Sequence, residues 1–149
     1  MAELFADYER EVTMIQKLAW GYAGLFVFVV LLGYLPGVND AQGLMFGLFK
    51  LDLYDDLLHL ASGIWAGIAA WWSTRAAMFY FKTFGILYGF DGVVGLITER
   101  GYLDFGIFVQ DPVGLDFGTR LAANLPHILI GGLALFIGFV LARTVAERS

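Results

Sequence analysis

The sequence predicts an all-α integral membrane fold, a four-helix bundle built from two tandem helical hairpins, and three observations carry that expectation. Mean hydropathy is +0.71, with 59% hydrophobic and 15% charged residues, against about 25% charged in an ordinary soluble domain. Four apolar runs approach the roughly 20 residues a helix needs to cross the hydrocarbon. A short pattern around a histidine occurs twice, in "DLLHLASG" at 56–63 and "NLPHILIGG" at 124–132, and the chain has no other histidine. The 149 residues are read as one membrane domain.

The segment 1–16, within "MAELFADYEREVTMIQK", is acidic and amphipathic. It lacks the basic start and small-residue cleavage site of a signal peptide, so the first span is expected to be retained. That span covers about 18–35 and stops at "LPGVND", whose Pro and Gly favour a turn. The second covers about 57–73, and "STR" at 73–75 turns the chain into the third, about 77–97. Lys82 lies near the start of this third span and can snorkel, whereas Asp91 lies well inside it, where an ionisable group calls for a partner. "TERGYLDFG" ends the third span, and the fourth covers about 121–142.

Four spans place both termini on one side. Arg10, Lys17, Arg75, Lys82, Arg143 and Arg148 fall on that side, six of the nine basic residues, and only Lys50, Arg100 and Arg120 fall on the other. The excess of positive charge predicts cytoplasmic termini in a bacterial inner membrane. Trp20, Trp71 and Trp72 then lie at the cytoplasmic ends of their helices, at the depth of an aromatic belt.

The two long connections extend the repeat. "FGLF" at 46–49 precedes His59 and "FGIF" at 105–108 precedes His127, each in the connection leading into the next span. Copies of a two-span unit have the same orientation and are related by an axis along the membrane normal, which puts the two histidines at equivalent depths. The second connection is longer by "DPVGLDFGT". The repeated FG-[LI]-F followed by [DN]-x-x-H-x-x-x-G on a four-span chain resembles the bacterial membrane-protein family known as domain of unknown function four-three-eight-three. The resemblance covers nearly the whole chain after the amphipathic N-terminus. It implies a four-helix fold and no particular activity. The first copy departs from the pattern with Asp56 where asparagine is expected.

Asp56 and His59, like Asn124 and His127, are spaced i, i+3 and so share a helix face. One reading is structural. Asp56 and Asn124 are good N-cap residues, Pro126 is tolerated in a first turn, and a histidine three positions after a cap can reach back to it. Asp56, His59, Asn124, His127 and Asp91 would then form a polar layer. Gly63 and Gly131 would let neighbouring helices close over the rings, and Gly85, Gly89 and Gly92, with Gly95 beyond them, form a packing stripe. Asp91 would be protonated, pair with Arg100 or Arg120, or bond a histidine of the other copy. The alternative is a cofactor: haem or a chlorophyll-type pigment on His59 and His127, with Asp56 fixing a tautomer. A third reading, transport through Asp91, needs several such groups in series.

Other classes are excluded by what the chain lacks. Without cysteine there are no disulfides, thiolate metal sites or Cys nucleophiles. A net charge of −5 argues against nucleic acid. Ser62 follows His59 by three residues but has no nucleophile-elbow pattern around it. The function expected from the sequence is that of a small polytopic membrane protein without catalytic activity and without a cofactor, an accessory or assembly subunit whose partners are lipid and other membrane subunits.

Overall fold

The computed structural model describes residues 12–41, 43–47 and 52–146. Arg10, Lys50, Arg148, most of the acidic N-terminal segment and the second half of "FGLF" lie outside the described residues. Within them the chain is helical, with no strand and one isolated bridge between Asn39 and Met45. The long helices are α1 (Met14–Gly33), α2 (Leu53–Trp72), α3 (Thr74–Thr98) and α5 (Phe117–Phe136), with a one-turn α4 (Gly106–Val109) in the α3–α5 connection. A π-helical stretch, Ile137–Leu141, carries α5 into α6 (Ala142–Ala146) without a break.

Three of these elements, Met14–Gly33, Thr74–Thr98 and Phe117–Thr144, are long and apolar enough to cross a membrane. α2 is as long as α1, but Asp55, Asp56 and His59 open it, and this polar start dilutes its apolar run.

Each long helix starts where a side chain can accept the first free amides. Thr13 and Gln16 form a reciprocal capping box at α1, and Asp52 and Asp55 form another at α2. Ser73 ends α2 and caps α3 in one residue, so the turn between them is as tight as a turn can be. Asp116 caps α5 through the amides of Gly118 and Thr119. The Thr119 hydroxyl also donates to it, which holds the Asp116 carboxyl below the usual carboxylate range.

These caps correct the expectation that Asp56 and Asn124 begin their helices. The caps lie four residues before Asp56 and eight before Asn124, because Asp52 and Asp116 offer equally good caps nearer the connections. Pro126 therefore lies in the interior of α5 rather than in its first turn. There it removes one backbone donor, and with the π-helical stretch it makes the last membrane-length element less regular than an uninterrupted apolar run suggests.

α3 is the element on which the others assemble. It packs along α5 on one side and against α2 and α1 on the other, α1 packs along α2, and α5 approaches α1 and α2 only slightly. Two faces of α3 explain this. Tyr80, Phe84 and Tyr88, spaced i, i+4, i+8, stack in succession at 5.1 and 4.7 Å and meet Tyr22 and Phe26 of α1 edge-on. Gly85, Gly89, Gly92 and Gly95 line the face toward α5. Between helices that lie among lipid tails there is little hydrophobic drive, so at such a seam close backbone approach and dispersion would supply the attraction. At the opposite end from the long connections, Gln16 donates to the Ala70 carbonyl at 2.7 Å, and Thr74 joins Thr13 and Gln16, which ties α1 to the α2–α3 turn.

The glycines differ in how much they permit. A methyl on Gly131 would overlap the Gly89 amide nitrogen and lie 2.6 Å from Gly89 Cα. At Gly85 it would come within 2.8 Å of Leu135 N, and at Gly92 within 2.8 Å of His127 Cβ. At Gly95 it would overlap the Asn124 amide. Gly63 is tight against Ala23 O and Phe26 Cβ of α1, at 3.3 and 3.2 Å. Gly89 itself would meet Gly131 at an ordinary 3.8 Å. Gly131→Ala is therefore expected to lower the melting temperature in detergent, by the about 1–3 kcal/mol typical of overpacking. Gly89→Ala and Gly132→Ala, the latter with nothing within 4 Å, should leave it nearly unchanged. Equal melting curves for Gly131→Ala and Gly132→Ala would contradict this packing.

Candidate functional site

At the end of the helices that carries both long connections, polar groups from α2, α3, α5 and the α3–α5 connection meet in one layer. His59 is buried on α2, and its Nδ1 lies 2.7 Å from the Asp55 carbonyl one turn back. A carbonyl only accepts, so Nδ1 carries the proton in the neutral ring and Nε2 offers a lone pair. Tyr88, 3.2 Å from that Nε2, donates its hydroxyl to it. The tyrosine thus has its polar end satisfied inside an apolar helix face, as a buried phenol requires.

On the other side of the Tyr88 ring lies His127, stacked at 4.4 Å with an interplanar angle of 28°. The two histidines do not touch each other; one tyrosine separates them, bonded to the first and stacked on the second. His127 Nδ1 is 2.9 Å from Asp91 Oδ2, so it is the imidazole N–H that donates to the carboxylate. Asp91 is 1% exposed. Its other oxygen accepts from the backbone amides of Tyr102 and Leu103 at 2.7 and 2.9 Å. This carboxylate therefore has three donors in place of water, which is what allows a charge to remain in so dry a position.

The connection is shaped to reach it. Glu99 ends α3 in the left-handed region at φ +70, turning the chain back over the helix end. Gly101 then passes so close that a Cβ would sit 3.0 Å from Asp91 Oδ1 and 2.8 Å from Asp104 Oδ1. Tyr102 donates its hydroxyl to the Leu87 carbonyl at 2.8 Å, and Asp104 accepts from Gly106 N. The start of α2 joins the same surface through Gln110, which donates to Asp52 at 3.4 Å, and through Tyr54 against Phe105.

The expected polar layer is only partly assembled from the expected residues. Asp91 bonds His127 of its own hairpin rather than a histidine of the other, and Arg100 and Arg120 point their guanidinium groups at the carbonyls of Gln110 and Ile97 instead. Asp56 bonds Tyr34 rather than His59: it accepts the Tyr34 hydroxyl at 2.7 Å, a bond that raises the phenol's pKa above its usual value. It is not placed to fix the His59 tautomer, which the Asp55 carbonyl does. Asn124 donates to the Arg120 carbonyl and packs its amide over Gly95. The residue at the centre, Tyr88, escaped the motif reading. Its signal was the Tyr80, Phe84, Tyr88 spacing followed three residues later by Asp91, which puts a phenol and a carboxylate on one stretch of helix face.

This geometry makes Asp91 the support of the loop. Asp91→Ala would leave His127 Nδ1 and the amides of Tyr102 and Leu103 without their acceptor. A loss of at least about 1–3 kcal/mol is expected, the cost of one unmet buried partner, together with faster amide exchange at Tyr102 and Leu103. Tyr88→Phe removes one bond only and should cost less, with no change in exchange at those two amides. Unchanged exchange in Asp91→Ala would refute the bracing role. Comparison of the chain with protein-family models, with curated proteins and with solved structures finds no match.

Proposed function

We propose that this chain is a four-span protein of the bacterial inner membrane without catalytic activity, an accessory or assembly subunit of a larger membrane complex. The observation that carries the reading is the polar layer. Its carboxylate is used on the second imidazole and two backbone amides, its phenol on the first imidazole and that imidazole on a backbone carbonyl, and the result braces three helices and a connection. The surface fits the same role. Trp71, Trp72, Ile64, Phe79, Phe90, Leu129 and Phe136 are exposed large apolar side chains, suited to lipid and to apolar partner helices alike.

In this reading α2 is the fourth span, entering with its polar first turn at the external surface, and both termini are cytoplasmic. Lys82 supports the orientation: its ammonium lies 5.2 Å from the Phe139 ring centroid, near the end of the helices that holds Trp20, Trp71 and Trp72. Duplication of a hairpin, and membership of the family that the repeated FG and histidine motifs resemble, are supported by two local likenesses. Phe46 and Phe105, each followed by glycine, both adopt positive φ, at 54° and 65°, which non-glycine residues seldom do. His59 and His127 follow their capping aspartates by 7 and 11 residues, close to two and three turns, so each returns to the face of its cap.

Because the chain has no cysteine, single-cysteine variants report topology without background. Cysteines at Asn39 and Val113 should react with a membrane-impermeant maleimide in intact cells, and one at Thr144 should react only after lysis. Labelling of Thr144→Cys in intact cells would overturn the orientation. For the role itself, the tagged protein extracted in mild detergent from its native membrane should migrate on native gels with a stoichiometric membrane partner. Migration as the bare chain or as a homo-oligomer alone would overturn the accessory reading.

A further inference from the structure

One atom of the polar layer stands apart from the rest. His127 is held by Asp91 through Nδ1 and by Tyr88 against its ring face, and its Nε2 has no partner among the described residues. With Nδ1 donating its proton to a carboxylate, Nε2 is left as the lone-pair nitrogen, the arrangement in which histidines ligate metals. The side chain is 22% exposed.

His59 is not equivalent. Its Nε2 accepts the Tyr88 hydroxyl and its ring is buried against Phe26, so it has no lone pair to offer without breaking the layer. A pair of histidines sharing one metal is thereby set aside. A bare ion is not served either: among the described residues no group of three or more histidine or carboxylate side chains is placed to hold one. A single imidazole suffices only for a metal whose remaining positions are filled before it arrives, and a metallated tetrapyrrole brings its equatorial nitrogens with it.

We propose that His127 Nε2 is the axial ligand for the metal of a membrane-soluble tetrapyrrole, with Asp91 orienting the imidazole and Tyr88 walling its face. Binding is coordination alone: the Nε2 lone pair enters an open axial position, and no proton or electron is transferred. The assignment does not depend on the accessory-subunit reading, since a subunit of a complex and a free-standing protein can each present this ligand.

The test uses the full chain in nanodiscs, titrated separately with iron protoporphyrin, zinc protoporphyrin and metal-free protoporphyrin. Both metallated forms should saturate at one equivalent with a shifted Soret band, and the metal-free ring should show only unsaturable partition into lipid. His127→Ala should reduce the metallated rings to the metal-free behaviour, Asp91→Asn should weaken them by about 10–100-fold, and folded His59→Ala should retain the shifted band. The proposal is overturned if His127→Ala keeps the shifted band or if folded His59→Ala loses it. If His127→Ala does not fold, the wild-type chain decides: equal behaviour of the zinc and metal-free rings means adsorption and refutes ligation, and a band shift confined to the zinc ring upholds it.

Discussion

A carboxylate that leaves water must find replacements for its hydration shell, and the arrangement of this protein at its connection end follows from how Asp91 does so. Its donors come from two places far apart in the chain: the imidazole of α5 and two consecutive amides of the connection. Satisfying the charge therefore requires that α5 lie against α3 at one depth and that the connection fold back over the helix end. Glu99 in a left-handed conformation and glycine at position 101 are the local conditions for that return. An apolar residue at 91 would impose none of these constraints.

The rest of α3 is organised around the same register. One face carries rings and the other carries glycines, so one helix recognises two different neighbours. Rings at 80, 84 and 88 need width, and α1 and α2 stand back far enough to supply aromatic partners of their own. Glycines at 85, 92 and 95 need contact, and α5 comes close enough that its backbone or side chains occupy the space of each missing Cβ. Tyr88 belongs to the aromatic column, yet its hydroxyl reaches α2 and its ring face meets α5. It is the residue through which the two sides of α3 are coupled.

Much of the architecture was legible in the residues themselves. Apolar runs of membrane length, turns at 35–40, 73–75 and 98–106, and a packing stripe of glycines follow from composition and spacing, because these depend on the chain within a turn or two of itself. The helix starts were not legible to the same degree. Asp52, Asp55 and Asp56 are chemically equivalent candidates for a cap, and only the path of the preceding connection selects among them. The same degeneracy hid Asp116 behind Asn124. The histidines marked the correct layer, and Asp91 was recognisable as a group in need of a partner, but the identity of that partner was not.

What the sequence by itself determined is that these helices form, that three of them are long and apolar enough to cross a membrane, and that an acid and two histidines lie within the helices. Those properties are local: hydropathy and capping chemistry act between residues close in the chain, and they leave the rotation of one helix against another open. Only the tertiary structure decided that Asp91 bonds His127, that Tyr88 rather than either histidine is the centre of the layer, and that Asp56 turns to Tyr34. Each of those choices depends on distances between helices, set by which glycines let backbones meet and which rings hold them apart.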